Sequence, residues 1–393
     1  MSQQLINRSP DLKRLQDDGY EIELKGGYLF IHHIPYVNKN KNIQFGKLIV
    51  ALTLCNNIAK YSGNHVIQFM GEFPCHKDGS PISAISHANP NQRISDDIII
   101  NFSFSNKPPS GYKDHYEQVT RYIEIISTPA ISLDPSIKVQ TFKVVESADD
   151  DVFQYADTCS SRANTYYLNN KFKGQKIAII GLGGTGSYIL DLVAKTPVNE
   201  IHLYDGDVFS QHNAFRSPGA PSKDMLNSQM YKSDYLANIY NNMHKKIVSH
   251  SVYVTKDNIH ELSQMSCVFI CIDKDSVRYL ITKFLLEQQI AFIDVGMGVN
   301  IVDNSLIGTV RVTSADLAKN DHIVKRLPLS EVDDNENEYS TNIQIADLNA
   351  LNAVFAVIKW KKMNGFYQDL EREYHSTYSI NDSNLLNEET IHA

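Results

Sequence analysis

The feature of this sequence that most constrains its fold is a glycine-rich stretch that follows an apolar run. The stretch reads Gln175-Lys-Ile-Ala-Ile-Ile-Gly-Leu-Gly-Gly-Thr-Gly-Ser187, and Asp205 ends the next apolar run, 19 residues after Gly186. A β-branched run, a glycine turn that lets backbone N–H groups approach phosphate, a helix start and a downstream acid together predict a nucleotide-binding βαβ unit. The same pattern serves NAD and ATP, so other residues must decide the chemistry.

From Thr158 onward, predicted strands alternate with predicted helices. Such alternation implies βαβ crossovers, so we predict an α/β fold with a doubly wound, mostly parallel Rossmann-like sheet. Ligands bind such sheets at the carboxyl ends of the strands, and functional residues are therefore expected directly after strands. The predicted strands are 176–180, 200–204, 247–254, 267–272, 291–295 and 306–312, and the predicted helices lie near 185–195, 223–243, 276–288 and 344–363.

The first part of the chain has a different pattern and predicts a smaller α+β domain on a mostly antiparallel sheet. We expect this domain to cover residues 1–145, an acidic linker to cover 146–157, and the nucleotide-binding domain to cover 158–393. Its predicted elements are a helix over 9–17, strands over 28–34, 47–54, 65–70 and 97–104, and a helix over 112–126.

Composition excludes several classes of protein. A formal net charge of −8 argues against a general nucleic-acid binder, whose surface carries a basic excess. No apolar run approaches the about 18 residues of a membrane span, and the N-terminus lacks a basic region before an apolar stretch, so a cytoplasmic protein is expected. The five cysteines are odd in number and scattered, which disfavours a disulfide framework, and Cys267 and Cys271 are expected to be buried strand residues.

Polar or glycine clusters follow the predicted strand ends. The glycines Gly181, Gly183, Gly184 and Gly186 are expected to cradle phosphate at a helix N-terminus, the alternative being a tight turn without ligand. Asp205 and Asp207 follow the second strand, where an acid commonly accepts hydrogen bonds from ribose hydroxyls. Asp205 is the stronger ribose candidate, and a helix cap or turn aspartate is the alternative.

Two more clusters complete the candidate site. Asn213 and Arg216 lie three residues apart, on one side of a short turn or helix. An arginine beside a phosphate site supplies a fork of donors, although a lone arginine is usually a solvated surface residue. Asp273 leaves the fourth predicted strand and is suited to Mg²⁺, with a turn former as the alternative.

Together these residues resemble the ThiF/MoeB/HesA family and its relatives, the ubiquitin-activating enzymes, over roughly residues 158–365. The first shared element is the glycine stretch Gly-Leu-Gly-Gly-x-Gly. The second is Asp-x-Asp, whose first acid is followed by an Asn eight residues later and by an Arg eleven residues later. A lysine on a helix and an Asp followed by Val-Arg complete the similarity. The resemblance implies that the ATP phosphates bind at Gly183 to Gly186 and that the ribose binds at Asp205. It implies that Asn213 and Arg216 are catalytic and that the helix lysine is Lys232, with Lys223 as the second choice. It also implies that Asp273 binds Mg²⁺ and that Arg162 reaches the γ-phosphate in a partner subunit.

The resemblance implies that ATP adenylates the C-terminal carboxylate of a ubiquitin-like or sulfur-carrier protein, in a homodimeric enzyme. A carboxylate with a pKa of about 3.5 is already a nucleophile at neutral pH, so the site needs cations rather than a general base. The first domain is similar to domains fused ahead of ThiF-type domains in bacterial operons with ubiquitin-like proteins, which implies a bacterial conjugation or antiviral pathway. Its element order loosely resembles the ubiquitin-conjugating fold.

The sequence departs from thioester-forming relatives because residues 274–393 contain no cysteine. Either the chain stops at the adenylate or another nucleophile accepts the acyl group. Ser340 and Thr341 are hydroxyl candidates, and Cys75 is the thiol candidate because the adjacent His76 and Lys77 favour a thiolate. The alternatives to an adenylating enzyme are an NAD-dependent oxidoreductase and a catalytically silent nucleotide-binding scaffold.

Overall fold

A computed structural model of the chain describes residues 2–95, 98–145, 152–157, 159–160, 165–330 and 343–391. Two compact units result, one of Met1–Asp151 with Tyr155–Asn170 and one of Val152–Gln154 with Lys171–Ala393. The acidic stretch 146–151 lies outside the described residues, so the linker assignment stays a prediction. No helix within the described ranges combines the length and apolarity that crossing a membrane requires.

The first unit is built on a six-stranded sheet of order β1-β2-β3-β6-β10-β7, in which the strand pairs are antiparallel. The predicted α+β domain is thereby confirmed. Four of its strands were not predicted, and the predicted strand over 97–104 is two strands, Ile98–Ile100 and Phe102–Ser105; the missed strands are Ile22–Lys25, Ile58–Lys60, Ser86–Ala88 and Gln92–Ser95. Its strands are β1 Ile22–Lys25, β2 Tyr28–Val37, β3 Ile43–Ala51, β4 Thr53–Cys55, β5 Ile58–Lys60, β6 Val66–Met70, β7 Ser86–Ala88, β8 Gln92–Ser95, β9 Ile98–Ile100 and β10 Phe102–Ser105.

Three α-helices, Ser2–Arg8, Pro10–Asp17 and His115–Leu133, are described in this unit, with a 3₁₀ turn at Ser83–Ile85. The helix His115–Leu133 starts later than expected because the Asp114 side chain accepts a hydrogen bond from the Glu117 N–H and caps it. The core of the unit includes fully buried residues from the helices and the sheet, among them Leu12, Leu15, Phe69, Val119 and Tyr122.

The second unit contains an eight-stranded sheet of order β13-β12-β11-β14-β15-β16-β17-β18. The pairs from β13 to β15 are parallel, which confirms the predicted Rossmann-like sheet, and the pairs from β15 to β18 are antiparallel. The strands are β11 Lys176–Ile180, β12 Glu200–Tyr204, β13 Ile247–His250, β14 Cys267–Ile270, β15 Ala291–Val302, β16 Ser305–Ala315, β17 His375–Ser379 and β18 Asn384–Glu388.

Helices connect these strands and cover both faces of the sheet. Ile179 packs on one face with Leu190 and Trp360, whereas its neighbour Ile180 packs on the other with Leu285, as the period of two along a strand requires. The described α-helices are Gly184–Val193, Gln211–Ala214, Lys223–Asn227, Lys232–Tyr240, Asp275–Glu287, Ile323–Arg326 and Ala346–Met363, and a 3₁₀ helix covers Ile259–Gln264. A further 3₁₀ helix, Tyr166–Phe172, begins in the first unit and ends in the second.

Two expected helices are corrected or explained by the packing. The expected helix over 223–243 is two helices, because Gln229 has a φ of 50° and interrupts the helical backbone. The helix Ala346–Met363 is apolar on more than one face because it packs against the helix Gly184–Val193, β15 and β16 of its own unit. Its burial therefore needs no second subunit.

The strand order places a topological switch point between β11 and β14. The chain runs outward from β11 through β12 to β13 and then returns to β14 on the other side of β11. Ligands of open parallel sheets bind outside the carboxyl ends of the strands at such a point. The glycine stretch follows β11 and Asp273 follows β14, so both lie at this edge of the sheet.

Candidate nucleotide-binding site

The glycine loop packs so tightly that two of its positions exclude any side chain. Gly181 has a φ of 87°, and a Cβ there would lie 2.5 Å from the carbonyl oxygen of Cys271, at the end of β14. A Cβ on Gly186 would lie 1.9 Å from the carbonyl oxygen of Gly181. A Cβ on Gly183 would meet nothing within 4 Å, so the loop is open on that side. The loop therefore turns sharply and leaves free space beside Gly183.

The helix Gly184–Val193 begins directly at this open position. Gly183 is its N-cap residue and makes no side-chain cap, so the first N–H groups of the helix have no capping side chain. A Cβ on Gly184 would lie 2.1 Å from the side chain of Asn349, which comes from the helix Ala346–Met363. Uncapped N–H groups and the helix dipole together favour an anion such as phosphate.

Asp205 connects the glycine loop to the end of β12. One carboxylate oxygen accepts a hydrogen bond from the Leu182 N–H at 2.7 Å, and the other accepts one from the Asp207 N–H at 2.9 Å. The side chain is buried, and burial raises the pKa of Asp205 although the charge of Lys232 opposes it. A carboxylate oxygen has the capacity to accept more than one hydrogen bond, so the ribose role of Asp205 stays a prediction that these contacts permit.

Lys232 is the lysine that the structure brings to these acids. Its Nζ lies 2.6 Å from Oδ2 of Asp207 and 3.7 Å from Oδ1 of Asp205, and the side chain is buried. Burial alone would raise the pKa of Asp207, but hydrogen bonds from Lys232 and Tyr253 outweigh it and lower that pKa. Lys223, the second choice from the sequence, is exposed at the start of a separate helix.

Asn213 and Arg216 carry donors that have no partner. Oδ1 of Asn213 accepts a hydrogen bond from the Ser210 N–H at 2.8 Å within a capping box, which fixes the orientation of the amide. Nδ2 of Asn213 and Nε of Arg216 are buried, and neither has a hydrogen-bond partner among the described residues. Burial, followed by the charges of Arg216 and Lys232, lowers the pKa of His212, as expected beside a cationic cluster. Buried unsatisfied donors are costly, and a ligand would offset that cost.

Asp273 is exposed after β14, beside the glycine loop. No group of three His, Cys, Asp or Glu side chains suited to a metal occurs among the described residues. A site of one carboxylate completed by phosphate oxygens and water still fits Mg²⁺, because Mg²⁺ is usually held by one or two carboxylates plus substrate phosphates. The metal assignment at Asp273 stays a prediction.

Sequence reasoning missed a second charged cluster, formed by Arg278, Asp294 and Arg311. Asp294 is fully buried in β15, and its two oxygens accept hydrogen bonds from Nε of Arg278 at 3.0 Å and from Nη2 of Arg311 at 2.6 Å. The signal that would have indicated it was a single acid within the apolar run of β15. Such an acid requires a buried partner, but the sequence does not identify that partner.

The expectation that His76 and Lys77 favour a Cys75 thiolate is wrong. The thiol is buried and donates to the Phe73 carbonyl at 3.3 Å. Burial, followed by the nearby carboxylates of Glu72 and Asp78, raises the pKa of Cys75. Burial and these two acids, which lie three residues before and after Cys75, outweigh the adjacent bases.

The other cysteines and the remaining candidates are placed as follows. Cys267 is buried in β14, as expected, whereas Cys271 follows the last residue of β14 and is half-buried, so the expectation that it is a buried strand residue is wrong. Burial of its thiol still raises the pKa of Cys271 well above the ordinary value. Three candidates from the sequence lie outside the described residues: Arg162, Ser340 and Thr341.

Two protein families match the chain. Residues 163–314 match the ThiF family and form a domain of that family. Residues 10–158 match a family described as a domain of unknown function, DUF6791. No curated protein matches the chain.

Solved structures align with more than half of the chain at low sequence identity. The biosynthetic enzyme MccB of microcin C7, in complex with N-formylated MccA, aligns at 16% identity and a TM-score of 0.46 over 59% of this chain and 70% of that one. E. coli MccB with ATP aligns at 16% identity and a TM-score of 0.44 over 57% and 66%. PaaA aligns at 15% identity and a TM-score of 0.42 over 56% and 74%.

Proposed function

Because residues 163–314 form a ThiF family domain, we propose that this chain is an ATP- and Mg²⁺-dependent adenylating enzyme. Its substrate is the C-terminal carboxylate of a ubiquitin-like or sulfur-carrier protein. The observation that carries the proposal is a set of buried donors that follow β12, in the unit whose glycine loop is open beside Gly183. The set consists of the buried ammonium of Lys232, Nδ2 of Asn213 and Nε of Arg216, the last two having no hydrogen-bond partner among the described residues.

The reaction consists of attack by the carboxylate on the α-phosphorus of ATP. A bond forms between a carboxylate oxygen and that phosphorus, and the bond to the bridging oxygen of pyrophosphate breaks. Both reactants are anions, so the site must offset their repulsion and the charge that develops on the phosphoryl oxygens. Asn213, Arg216 and Lys232 supply donors of the required kind, and none of them needs to remove a proton.

Two further residues have assigned roles in this proposal. Asp205 is fixed by two backbone N–H groups and would accept hydrogen bonds from the ribose hydroxyls. Asp273 would hold Mg²⁺, and bound Mg²⁺ neutralises phosphate charge. Hydride transfer to a nicotinamide needs no such set of buried donors after β12, which is why adenylation is preferred to the oxidoreductase alternative.

The fate of the acyl group and the assembly of the enzyme belong to the same proposal. We propose that the adenylate passes to a separate protein within a bacterial ubiquitin-like conjugation or antiviral pathway. Transfer to Cys75 would first require the thiol to become uncovered, because it is buried and its pKa is raised. A homodimer, in which Arg162 reaches the partner's nucleotide, is proposed on the family resemblance, and light scattering at micromolar concentration tests it.

The experiment that tests the activity is ATP–pyrophosphate exchange with radiolabelled pyrophosphate, Mg²⁺ and a ubiquitin-like carrier protein. The matched control is the same carrier with its C-terminal carboxylate converted to an amide, which removes the nucleophile. We expect exchange with the first carrier and none with the second. ATP binding without exchange would favour the scaffold alternative, and nicotinamide binding without ATP binding would favour the oxidoreductase.

A further inference from the structure

Tyr253 lies against the turn that joins the two acids of the nucleotide site. Its ring occupies the space above Gly206, where a Cβ would come within 2.9 Å of three ring carbons. Its hydroxyl donates a hydrogen bond to Oδ1 of Asp207. The side chain follows β13 and is 59% exposed, so neither general burial nor core packing accounts for its placement.

Asp207 is the link between Tyr253 and Lys232. Its Oδ1 accepts from Tyr253, and its Oδ2 accepts from Nζ of Lys232 at 2.6 Å. The Asp207 side chain is 52% exposed and that of Lys232 is 7% exposed. A half-exposed carboxylate is free to rotate into solvent unless a second hydrogen bond holds it, so the bond from Tyr253 determines whether Asp207 can serve as a fixed partner.

We propose that Tyr253 is a positioning residue whose hydroxyl fixes the Asp207 carboxylate, so that the opposite oxygen holds the Lys232 ammonium at the nucleotide site. This inference rests on the proposed function, because it is the nucleotide that Lys232 meets there. Gly206 has a matching role, since any side chain at that position would displace the ring and with it the hydroxyl.

The phenol keeps its proton under working conditions. The hydrogen bond to Asp207, followed by burial and the charge of Asp207, raises the pKa of Tyr253 to about 12. At neutral pH the hydroxyl is therefore a donor, which is the state that a carboxylate partner requires. A hydrogen bond to a charged group is stronger than one between neutral groups, so its removal is measurable.

The test is the substitution Tyr253→Phe, which keeps the ring above Gly206 and removes only the hydroxyl. Titration calorimetry with ATP and Mg²⁺ is expected to give an about 3- to 10-fold higher Kd. Because Tyr253 acts through Asp207, the same substitution in the Asp207→Asn background is expected to change Kd by less than about 2-fold. Tyr374→Phe is the matched control, since Tyr374 also donates to a carboxylate, Asp316, at 3.1 Å, and it should leave Kd unchanged.

A second measurement does not depend on nucleotide binding. Lysine acylation read by mass spectrometry is expected to label Lys232 several-fold faster in Tyr253→Phe than in wild type, with exposed Lys223 as the internal reference. Unchanged ATP affinity together with unchanged labelling would overturn the inference, and so would an undiminished effect in the Asp207→Asn background. If the wild type fails to bind ATP, the proposed function is lost, and the labelling of Lys232 alone decides the role of Tyr253.

Discussion

Two charged clusters in the second unit contain similar residues but differ in what they leave unbonded. In the cluster of Arg278, Asp294 and Arg311, the acid is fully buried and each of its oxygens has an arginine partner. The Nη groups of Arg278 also bond Asp275 and the Ile272 carbonyl. In the cluster of Asp205, Asp207 and Lys232, one acid is half exposed and unpartnered donors lie nearby in sequence.

This difference separates a structural cluster from a binding cluster. A buried charge is tolerated when hydrogen bonds satisfy it, and once satisfied it has no capacity left for a ligand. Unsatisfied buried donors such as Nδ2 of Asn213 and Nε of Arg216 are retained against their cost, which points to a ligand that completes them. The number of hydrogen-bond partners of a buried polar group thus indicates its role better than the number of charges in its cluster.

We call the cluster of Arg278, Asp294 and Arg311 the closed cluster and the cluster of Asp205, Asp207 and Lys232 the open cluster. The largest effect is expected from a substitution that breaks the closed cluster. Asp294→Asn leaves Arg311 without its charged partner and Arg278 with Asp275 alone, so we expect the free energy of unfolding to fall by about 3–5 kcal/mol, as measured by urea denaturation. Asp207→Asn is the matched control in the open cluster and should cost less than about 1 kcal/mol, because that side chain is half exposed. Equal losses in the two variants would remove the distinction between the clusters.

The second prediction concerns substitutions in the nucleotide site that should abolish function while the fold stays intact. Arg216→Ala and Asp273→Ala should each slow ATP–pyrophosphate exchange by about two or more orders of magnitude, because both residues offset charge at the transferring phosphoryl group. Urea denaturation should be unchanged, since Asp273 is exposed and Arg216 has an unpartnered Nε. Unchanged exchange in both variants would contradict the assignment of the site.

The parts of the fold that the sequence predicted well are those governed by local periodicity. β11 and β12 begin and end at the predicted residues, because each is an apolar run bounded by polar or glycine residues. The strands β17 and β18 were missed since they are short and mostly half exposed or exposed, and the pairing of β17 with β16 and of β18 with β17 is set by tertiary contacts. A break such as the one at Gln229 has no glycine or proline to indicate it.

In the candidate site, too, the features set by local sequence were predictable and those set by contacts between elements were not. The glycine loop and the acid at the end of β12 were predictable because their spacing follows from the backbone geometry of a βαβ unit. The choice of Lys232 over Lys223 and the role of Tyr253 depend on which side chains meet across elements. The pKa of Cys75 was mispredicted for the same reason, because its shift comes first from burial by the fold and only then from Glu72 and Asp78.

The third prediction compares two glycines of one loop. Gly183→Ala adds a methyl group in open space, so we expect normal stability but an about 10-fold loss of ATP affinity, because the methyl occupies the approach of the phosphates. Gly186→Ala forces a collision with the Gly181 carbonyl, so that variant should lose stability as well. Calorimetry with ATP and thermal denaturation separate the two effects. Full ATP affinity in Gly183→Ala would show that the open side of the loop is not the phosphate site.

The smallest expected effect concerns the cysteines of the first unit, where a buried thiol is compared with exposed ones. Cys75 is closed by burial and by its bond to Phe73, whereas Cys55 and Cys159 are exposed. A pKa above the ordinary thiol value lowers the thiolate fraction at pH 7–8, so the iodoacetamide reaction of Cys75 should be about fivefold slower than that of the exposed pair and should still be rising above pH 9. Mass spectrometry of peptides alkylated across that pH range measures all three rates in one sample. If Cys75 reacts fastest at neutral pH, its thiol is accessible in solution, and acyl transfer to Cys75 regains support. In that case, a carrier adduct that is lost in Cys75→Ala and on treatment with thiol would identify Cys75 as the acceptor.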